Sequence, residues 1–172
     1  KVYSLDLIGF GRSAQPGLDL EQPLDNRLWG RQVSAFLQEI IQQPCVLIGN
    51  SLGGLTALTA AVLDPSRVAV VVAAPLPDPA FVTPVGSRRG PLRRRCTRWG
   101  LKVLFKILPL ELLLPFIGRT PLLRAGIQGA YSSSIRNDFD LLRSIRRPVL
   151  RPTAARALRS MCIGMGLRPR GA

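Results

Sequence analysis

A serine between glycines is the group in this sequence best placed to do chemistry. Residues 49–54 read GNSLGG, after the apolar run 46–48 and before a helix-like run from 55 to 62. A G-x-S-x-G pattern between a strand and a helix predicts a sharp turn that lifts the serine hydroxyl above a sheet. Gly49, Gly53 and Gly54 are expected to relieve side-chain collisions in that turn. Ser51 is therefore the predicted nucleophile and Leu52 the predicted N–H donor to an oxyanion. The alternative is a glycine-rich turn without chemistry.

A second motif lies nearer the N-terminus. Residues 2–7 read VYSLDL, which predicts a strand, and the loop that follows contains Gly9, Phe10 and Gly11. We expect these three residues, with Asn50 beside the serine, to shape a pocket. A G-x-G after a strand also occurs in dinucleotide sites, but here no third glycine opens a helix.

The elements that must hold the two motifs follow from hydrophobic periodicity. Asp25 is predicted to cap a helix whose apolar residues recur at helical spacing until Pro44 ends it. Trp29 on this helix is predicted to lie in the core. A second helix is expected after Ser51 and to about Leu63, and the apolar run 68–74 predicts a parallel strand covered on both faces. The alternation of strands and helices indicates an α/β class.

These motifs, in this order, resemble the α/β-hydrolase fold over residues 1–80. The resemblance is to its cap-bearing lipase, esterase and epoxide-hydrolase-like members, and GNSLGG also resembles the pheophytinase branch and its cyanobacterial relatives. It implies a partial α/β-hydrolase core in residues 1–84, with parallel strands and crossover helices. A mainly helical, basic cap or lid would occupy residues 85–172, together with the start of the return to the core. Short helices divided by prolines are predicted from Trp99 onward.

The resemblance also implies a function. It predicts a serine hydrolase that cleaves an ester-type bond of an apolar small molecule, with no cofactor and no metal. Family members place a catalytic acid and then a histidine after the serine. The chain contains no histidine. Asp78 is a candidate acid, although a turn residue between two prolines is the plainer interpretation, and a Ser–Lys dyad is disfavoured.

The family also builds half of its oxyanion hole from a loop after its third strand, typically an H-G motif, and nothing in this chain supplies that loop. These two gaps in the family pattern lead to further expectations. We expect the oxyanion loop upstream of Lys1, and the acid and histidine downstream of Ala172. The chain alone is accordingly expected to be nearly inactive, because members of the catalytic triad are lacking. It is also expected to be poorly stable, because the strand between the first two predicted strands is lacking. A decayed or artificially cut gene product is compatible with these expectations.

The net charge of +14 is concentrated in residues 85–172. A solvated cap surface explains such an asymmetry, and so does a non-catalytic module that binds an anionic membrane or nucleic acid. Only 6% of residues are aromatic, which disfavours stacking on single strands. We therefore expect no nucleic acid partner, and weak contact with an anionic membrane surface stays open.

Cysteine usage and hydropathy bear on the compartment. The three cysteines are widely spaced, without a C-x-x-C pair, which favours a reducing cytoplasmic setting. The apolar stretch 107–117 is interrupted by prolines and a glutamate, so it is not expected to cross a bilayer.

Overall fold

A computed structural model describes residues 1–16, 24–74, 99–100, 103–129, 131, 135 and 137–166. The strands are β1 (Cys45–Gly49) and β2 (Val68–Ala73). The helices are α1 (Asn26–Phe36), α2 (Leu52–Leu63), α3 (Leu110–Arg119), α4 (Pro121–Gln128), α5 (Phe139–Val149) and α6 (Ala154–Gly166). A π-helical turn, Leu37–Ile41, extends α1, a 3-10 turn, Pro65–Arg67, precedes β2, and residues 103–107 are helical. None of the described helices combines the length and the hydropathy that a membrane span requires.

The two strands form a parallel pair that α2 connects. Val46 lies opposite Val70 and Gly49 opposite Ala73. Helix α2 packs against both strands and against α1, so β1, α2 and β2 form one βαβ crossover unit. The predicted mixed α/β class, with parallel strands joined by a crossover helix, is confirmed for this part of the chain.

Helix α1 begins and ends where local chemistry requires. The Asp25 side chain accepts a hydrogen bond from the Leu28 N–H at 2.9 Å, which caps the first turn. After the π turn, Gln42 adopts a left-handed conformation (φ 59°), and its N–H donates to the Leu37 carbonyl at 2.7 Å. Trp29 is fully buried, as predicted for a core residue.

Two expectations about the sheet are wrong. Residues 1–7 are not a strand, since the sheet formed by the described residues contains β1 and β2 alone. A strand needs a ladder partner, and the resemblance puts another strand between residues 2–7 and β1. Nor is β2 covered on both faces, because Val70 and Val72 are about half exposed, at 52% and 51%. Helix α2 covers one face, and no described element covers the other.

The helical half of the chain packs against the N-terminal half. Leu24, Trp29 and Ala157 of α6 form one buried cluster. The Leu24 N–H donates to Ser160 Oγ at 3.3 Å, and Gln15 Nε2 donates to the Pro148 carbonyl at 3.1 Å. Short helices after residue 99 are confirmed, but the expectation that prolines divide them is wrong in two places, because Pro115 lies inside α3 and Pro148 inside α5. The proposed boundary between residues 84 and 85 lies outside the described residues and stays a prediction.

A buried arginine ties α6 to α3. Arg159 donates to both carboxylate oxygens of Glu111, at 2.6 and 2.9 Å, and also to the carbonyls of Phe105 and Leu108. Hydrogen bonding from the Arg159 guanidinium is the main reason that the pKa of Glu111 falls to about 2 from its ordinary value of 4.5. A bidentate pair of this kind fixes the orientation of the two side chains and also stabilises their opposite charges.

The Glu111 pKa makes this link dependent on pH. A carboxyl with a depressed pKa stabilises the fold fully above pH 4.5, and this contribution is lost as pH falls towards about 2. We therefore expect Glu111→Gln to lower the urea unfolding midpoint at pH 7. The difference from the unmodified chain should shrink between pH 4.5 and 2. Glu39→Gln, at an exposed position, is the matched control. An equal loss in both variants, or a difference that does not vary with pH, would contradict the assignment.

Candidate active site

Ser51 occupies the junction of β1 and α2 in a conformation that L-residues rarely adopt. Its φ is 53° and its ψ is −116°, which lies outside the main allowed backbone regions for a residue with a Cβ atom. Such strain costs on the order of 1–3 kcal/mol and persists where the surrounding structure enforces it. The Ser51 side chain is exposed and makes no capping hydrogen bond to α2. The hydroxyl is therefore raised at the turn and open to a reactant.

Gly49 makes the tight turn sterically possible. A Cβ atom on Gly49 would collide with the backbone of Gly53 and Gly54 in the first turn of α2. A Cβ atom on Gly53 would meet nothing within 4 Å. The expectation that both flanking glycines relieve collisions is therefore wrong at Gly53, because this residue lies on the open side of the helix. Gly54 is buried, and its nitrogen is among the atoms that crowd Gly49.

Hydrogen bonds close the turn without using the predicted oxyanion donor. The Gly53 N–H donates to the Asn50 carbonyl at 2.9 Å, and the Leu55 N–H donates to the Ser51 carbonyl at 3.1 Å. Among the described residues, none of the backbone hydrogen bonds of this turn has the Leu52 N–H as its donor. The Leu52 side chain packs against the cluster of Leu24, Trp29 and Ala157. The N–H at the start of α2 is therefore fixed in place and available to an anion.

The loop after residues 1–7 is built around the Asp6 carboxylate. The Arg12 N–H donates to Asp6 Oδ2 at 2.8 Å, and Ser13 Oγ donates to the Asp6 carbonyl at 2.6 Å. Gly9 and Gly11 have φ values of 95° and 48°. A Cβ atom on Gly11 would collide with the Asp6 carboxylate. This loop therefore needs glycine for its backbone and for the close approach of Asp6.

Two side chains of α1 hold the loop, and sequence reasoning missed both roles. Trp29 Nε1 donates to the Ile8 carbonyl at 2.8 Å, and Gln32 Oε1 accepts from the Ile8 N–H at 2.9 Å. Gln32 Nε2 also donates to the Asp6 carbonyl at 3.1 Å. The Trp29 and Phe10 rings lie 5.7 Å apart. Trp29 and Gln32 lie three residues apart and therefore on the same side of the helix. This spacing, after an apolar loop, is the sequence signal that could have indicated that both side chains bind the loop.

A cavity of about 640 Å³ lies between this loop and helices α5 and α6. Gly9, Phe10 and Gly11 line it, whereas Ser51 and Asn50 are not among its lining residues. The structure thus separates two groups of predicted site residues, with the loop at the cavity and the serine at the exposed turn. Asp78 lies outside the described residues. Arginines of α5, which line the cavity, had not been predicted as site residues.

Other candidate chemistry is limited in the described ranges. No group of three or more Cys, Asp or Glu side chains there is placed to hold a metal ion. Cys45 and Cys162 are free. Burial raises the pKa of the Cys162 thiol, which disfavours the nucleophilic thiolate at neutral pH.

The two glycines around Ser51 offer a matched pair of variants. We expect Gly49→Ala to destabilise the chain by about 1–3 kcal/mol, because the added methyl group overpacks the turn. Gly53→Ala should be neutral or stabilising by up to about 1 kcal/mol, since alanine is the better helix former. Urea unfolding of the two variants measures both effects. Equal tolerance of both substitutions would show that the turn is not held by contact at Gly49.

Comparison with known proteins agrees with this geometry. The profile of the alpha/beta hydrolase family matches residues 1–165. The chloroplastic pheophytinase of Arabidopsis thaliana is 44% identical over 61 residues, which cover 35% of this chain and 12% of that protein. The 1-acylglycerol-3-phosphate O-acyltransferase ABHD5 of Sus scrofa is 32% identical over 79 residues, covering 41% of this chain and 20% of that protein.

The same acyltransferase of Rattus norvegicus is 30% identical over 71 residues, covering 41% of this chain and 20% of that protein. The matched stretches thus span a fifth or less of the length of these curated relatives. No solved structure gives a significant match. The family profile covers nearly the whole chain, and the chain therefore belongs to the alpha/beta hydrolase family.

Proposed function

We propose that Ser51 is the nucleophile of a serine hydrolase that cleaves an ester-type bond of an apolar small molecule. The observation that carries this proposal is the backbone of Ser51, with φ 53° and ψ −116°, at the end of β1 and the start of α2. A strained turn that exposes a serine hydroxyl in this position has a clear chemical use in acyl transfer. Membership of the alpha/beta hydrolase family supports the same reaction class.

The proposed reaction uses the groups that the turn brings together. Ser51 Oγ attacks the acyl carbon while its proton passes to a base, and the carbonyl oxygen becomes an oxyanion. The Leu52 N–H and the N-terminal end of α2 stabilise that negative charge. Collapse of the tetrahedral intermediate releases the alcohol, which takes up the proton. Water then hydrolyses the acyl-serine ester and restores Ser51.

The proposed reaction requires a base that accepts the Ser51 proton. A serine hydroxyl is a weak nucleophile until a neighbouring base accepts its proton, and no histidine occurs in the 172 residues. Ser51 is therefore not activated by a histidine of this chain. We expect very slow turnover by the chain alone, with the oxyanion donor supplying the remaining rate enhancement. Asp78, the candidate acid, stays a prediction.

The names of two relatives support the proposed substrate class. One relative is named a pheophytinase and another an acyltransferase of 1-acylglycerol 3-phosphate; acyl transfer to a serine would suit an ester substrate here. We place the protein in the cytoplasm, where a reducing environment would keep Cys45 and Cys162 as the free thiols that they are.

A second, non-catalytic function is contact with an anionic membrane surface. Leu112 and Phe116 of α3 are 75% and 59% exposed, and Arg119 on the same helix is exposed too. Apolar and cationic side chains together favour the interface of an anionic bilayer.

We expect the chain to sediment with vesicles containing phosphatidylserine. The double variant Leu112→Ser with Phe116→Ser should sediment with these vesicles to a smaller extent. Equal sedimentation with neutral vesicles, or no effect of the substitutions, would exclude the contact.

The role of Ser51 can be tested by supplying the missing base. Imidazole in solution should act as a general base and speed the reaction of Ser51 with a fluorophosphonate probe. We expect labelling of the unmodified chain in imidazole to exceed that of Ser51→Ala by ~100-fold or more, the lower end of the range for general acid–base catalysis. Labelling is read by mass spectrometry of the intact chain.

Ser4→Ala, at an exposed serine away from the turn, is the matched control and should label like the unmodified chain. If Ser51→Ala labels as fast as the unmodified chain in imidazole, Ser51 is not the nucleophile.

A further inference from the structure

The cavity between the Asp6–Ser13 loop and helices α5 and α6 has a mixed lining. Phe10, Leu24 and Met161 contribute apolar surface, and most of the cavity wall is apolar. Leu24 is buried in the cluster that it shares with Trp29 and Ala157. The cavity volume of about 640 Å³ falls within the usual range for small-molecule sites, roughly 300–1,000 Å³.

Arginines from two sides of the cavity complete the lining. Arg143 and Arg147 lie one turn apart on α5, Arg151 follows that helix, and Arg12 comes from the opposite loop. Arg151 donates one hydrogen bond to the Ser13 carbonyl at 3.0 Å. In the described part of the chain, no carboxylate forms an ion pair with any of these guanidinium groups.

Two carboxylates also line the cavity, but they do not cancel this charge. Asp6 already accepts a hydrogen bond from the Arg12 N–H at 2.8 Å and lies against Gly11. Asp140, in the first turn of α5, is exposed. Four guanidinium groups against two carboxylates leave the cavity with a positive excess. Beside an apolar wall such charges act more strongly than they do in open water.

We propose that this cavity binds a small amphiphile, an alkyl chain that ends in a phosphate or carboxylate. The apolar wall would take the chain, and the arginine forks match the planar oxygen pairs of those anions. A nucleic acid is a poorer fit, since Phe10 is the one aromatic side chain among the described lining residues and stacking needs several. Because Ser51 does not line the cavity, this binding does not depend on the proposed hydrolysis.

The protein carries its own reporter for such binding. The Trp29 ring lies 5.7 Å from the ring of Phe10, which lines the cavity. The chain has two tryptophans, so Trp99→Phe leaves Trp29 as the sole tryptophan signal. Octyl phosphate, octanoate and octanol are titrated as monomers against this variant, with Trp29 fluorescence as the readout. We expect both anions to bind ~10-fold or more tightly than octanol, as charge-assisted hydrogen bonds predict.

Two double variants distinguish a specific anion-binding site from general electrostatic attraction to a basic protein. Replacing Arg143 and Arg147 together by glutamine should weaken octyl phosphate binding by ~10-fold and leave octanol binding unchanged. Arg146→Gln together with Arg27→Gln removes the same charge from exposed positions that do not line the cavity. This control pair should bind octyl phosphate like the parent. Circular dichroism checks that all variants keep their helix content.

Several outcomes would overturn the proposal. Equal affinity for octanol and octyl phosphate would remove the anion site, and equal loss in the control pair would reduce it to general electrostatic attraction. Binding to phosphatidic acid vesicles without binding to monomeric octyl phosphate would identify a membrane surface instead. Ser51→Ala should bind octyl phosphate normally, so a failure of the proposed hydrolase would leave this result untouched.

Discussion

The close approach of Gly49 to the first turn of α2 is the constraint on which the serine depends. The backbone of Gly53 and Gly54 occupies the space where a Cβ atom of Gly49 would stand. With β1 fixed by pairing to β2 and α2 packed on both strands, the residue between them has little freedom. Ser51 therefore takes up a φ of 53°. The strain is a consequence of how tightly strand and helix are joined.

Helix α1 connects this turn to the rest of the molecule. Trp29 contacts the Phe10 ring, donates to the Ile8 carbonyl and packs in the cluster that includes Leu24 and Ala157. One indole thus contacts the N-terminal loop and the last described helix. An aromatic side chain with a single polar atom suits this position because it supplies large apolar area and donates a hydrogen bond to one partly buried carbonyl.

The arginines that carry the positive charge lie in two different environments in the folded chain. Part of the basic excess lies in arginines around a mostly apolar cavity, whereas Arg159 is buried and neutralised by Glu111. The same residue type thus serves recognition in one place and cohesion in another. Burial and the nearest carboxylate decide between the two, because a buried guanidinium is stable only when it is paired.

The local elements and the serine motif could be predicted from the amino-acid sequence. Capping at Asp25, the end of α2 near Asp64 and the strand–turn–helix order around Ser51 depend on neighbours in the chain, so periodicity and turn chemistry sufficed. Features that need partners distant in the chain became visible only in the folded molecule. Residues 2–7 are not a strand because no described strand pairs with them. A Cβ atom on Gly53 would meet no neighbouring atom. Gln32 and the arginines of α5 lie near the Asp6–Ser13 loop because the folded chain packs their helices against it. Contacts between residues far apart in the chain leave no periodic trace in its sequence.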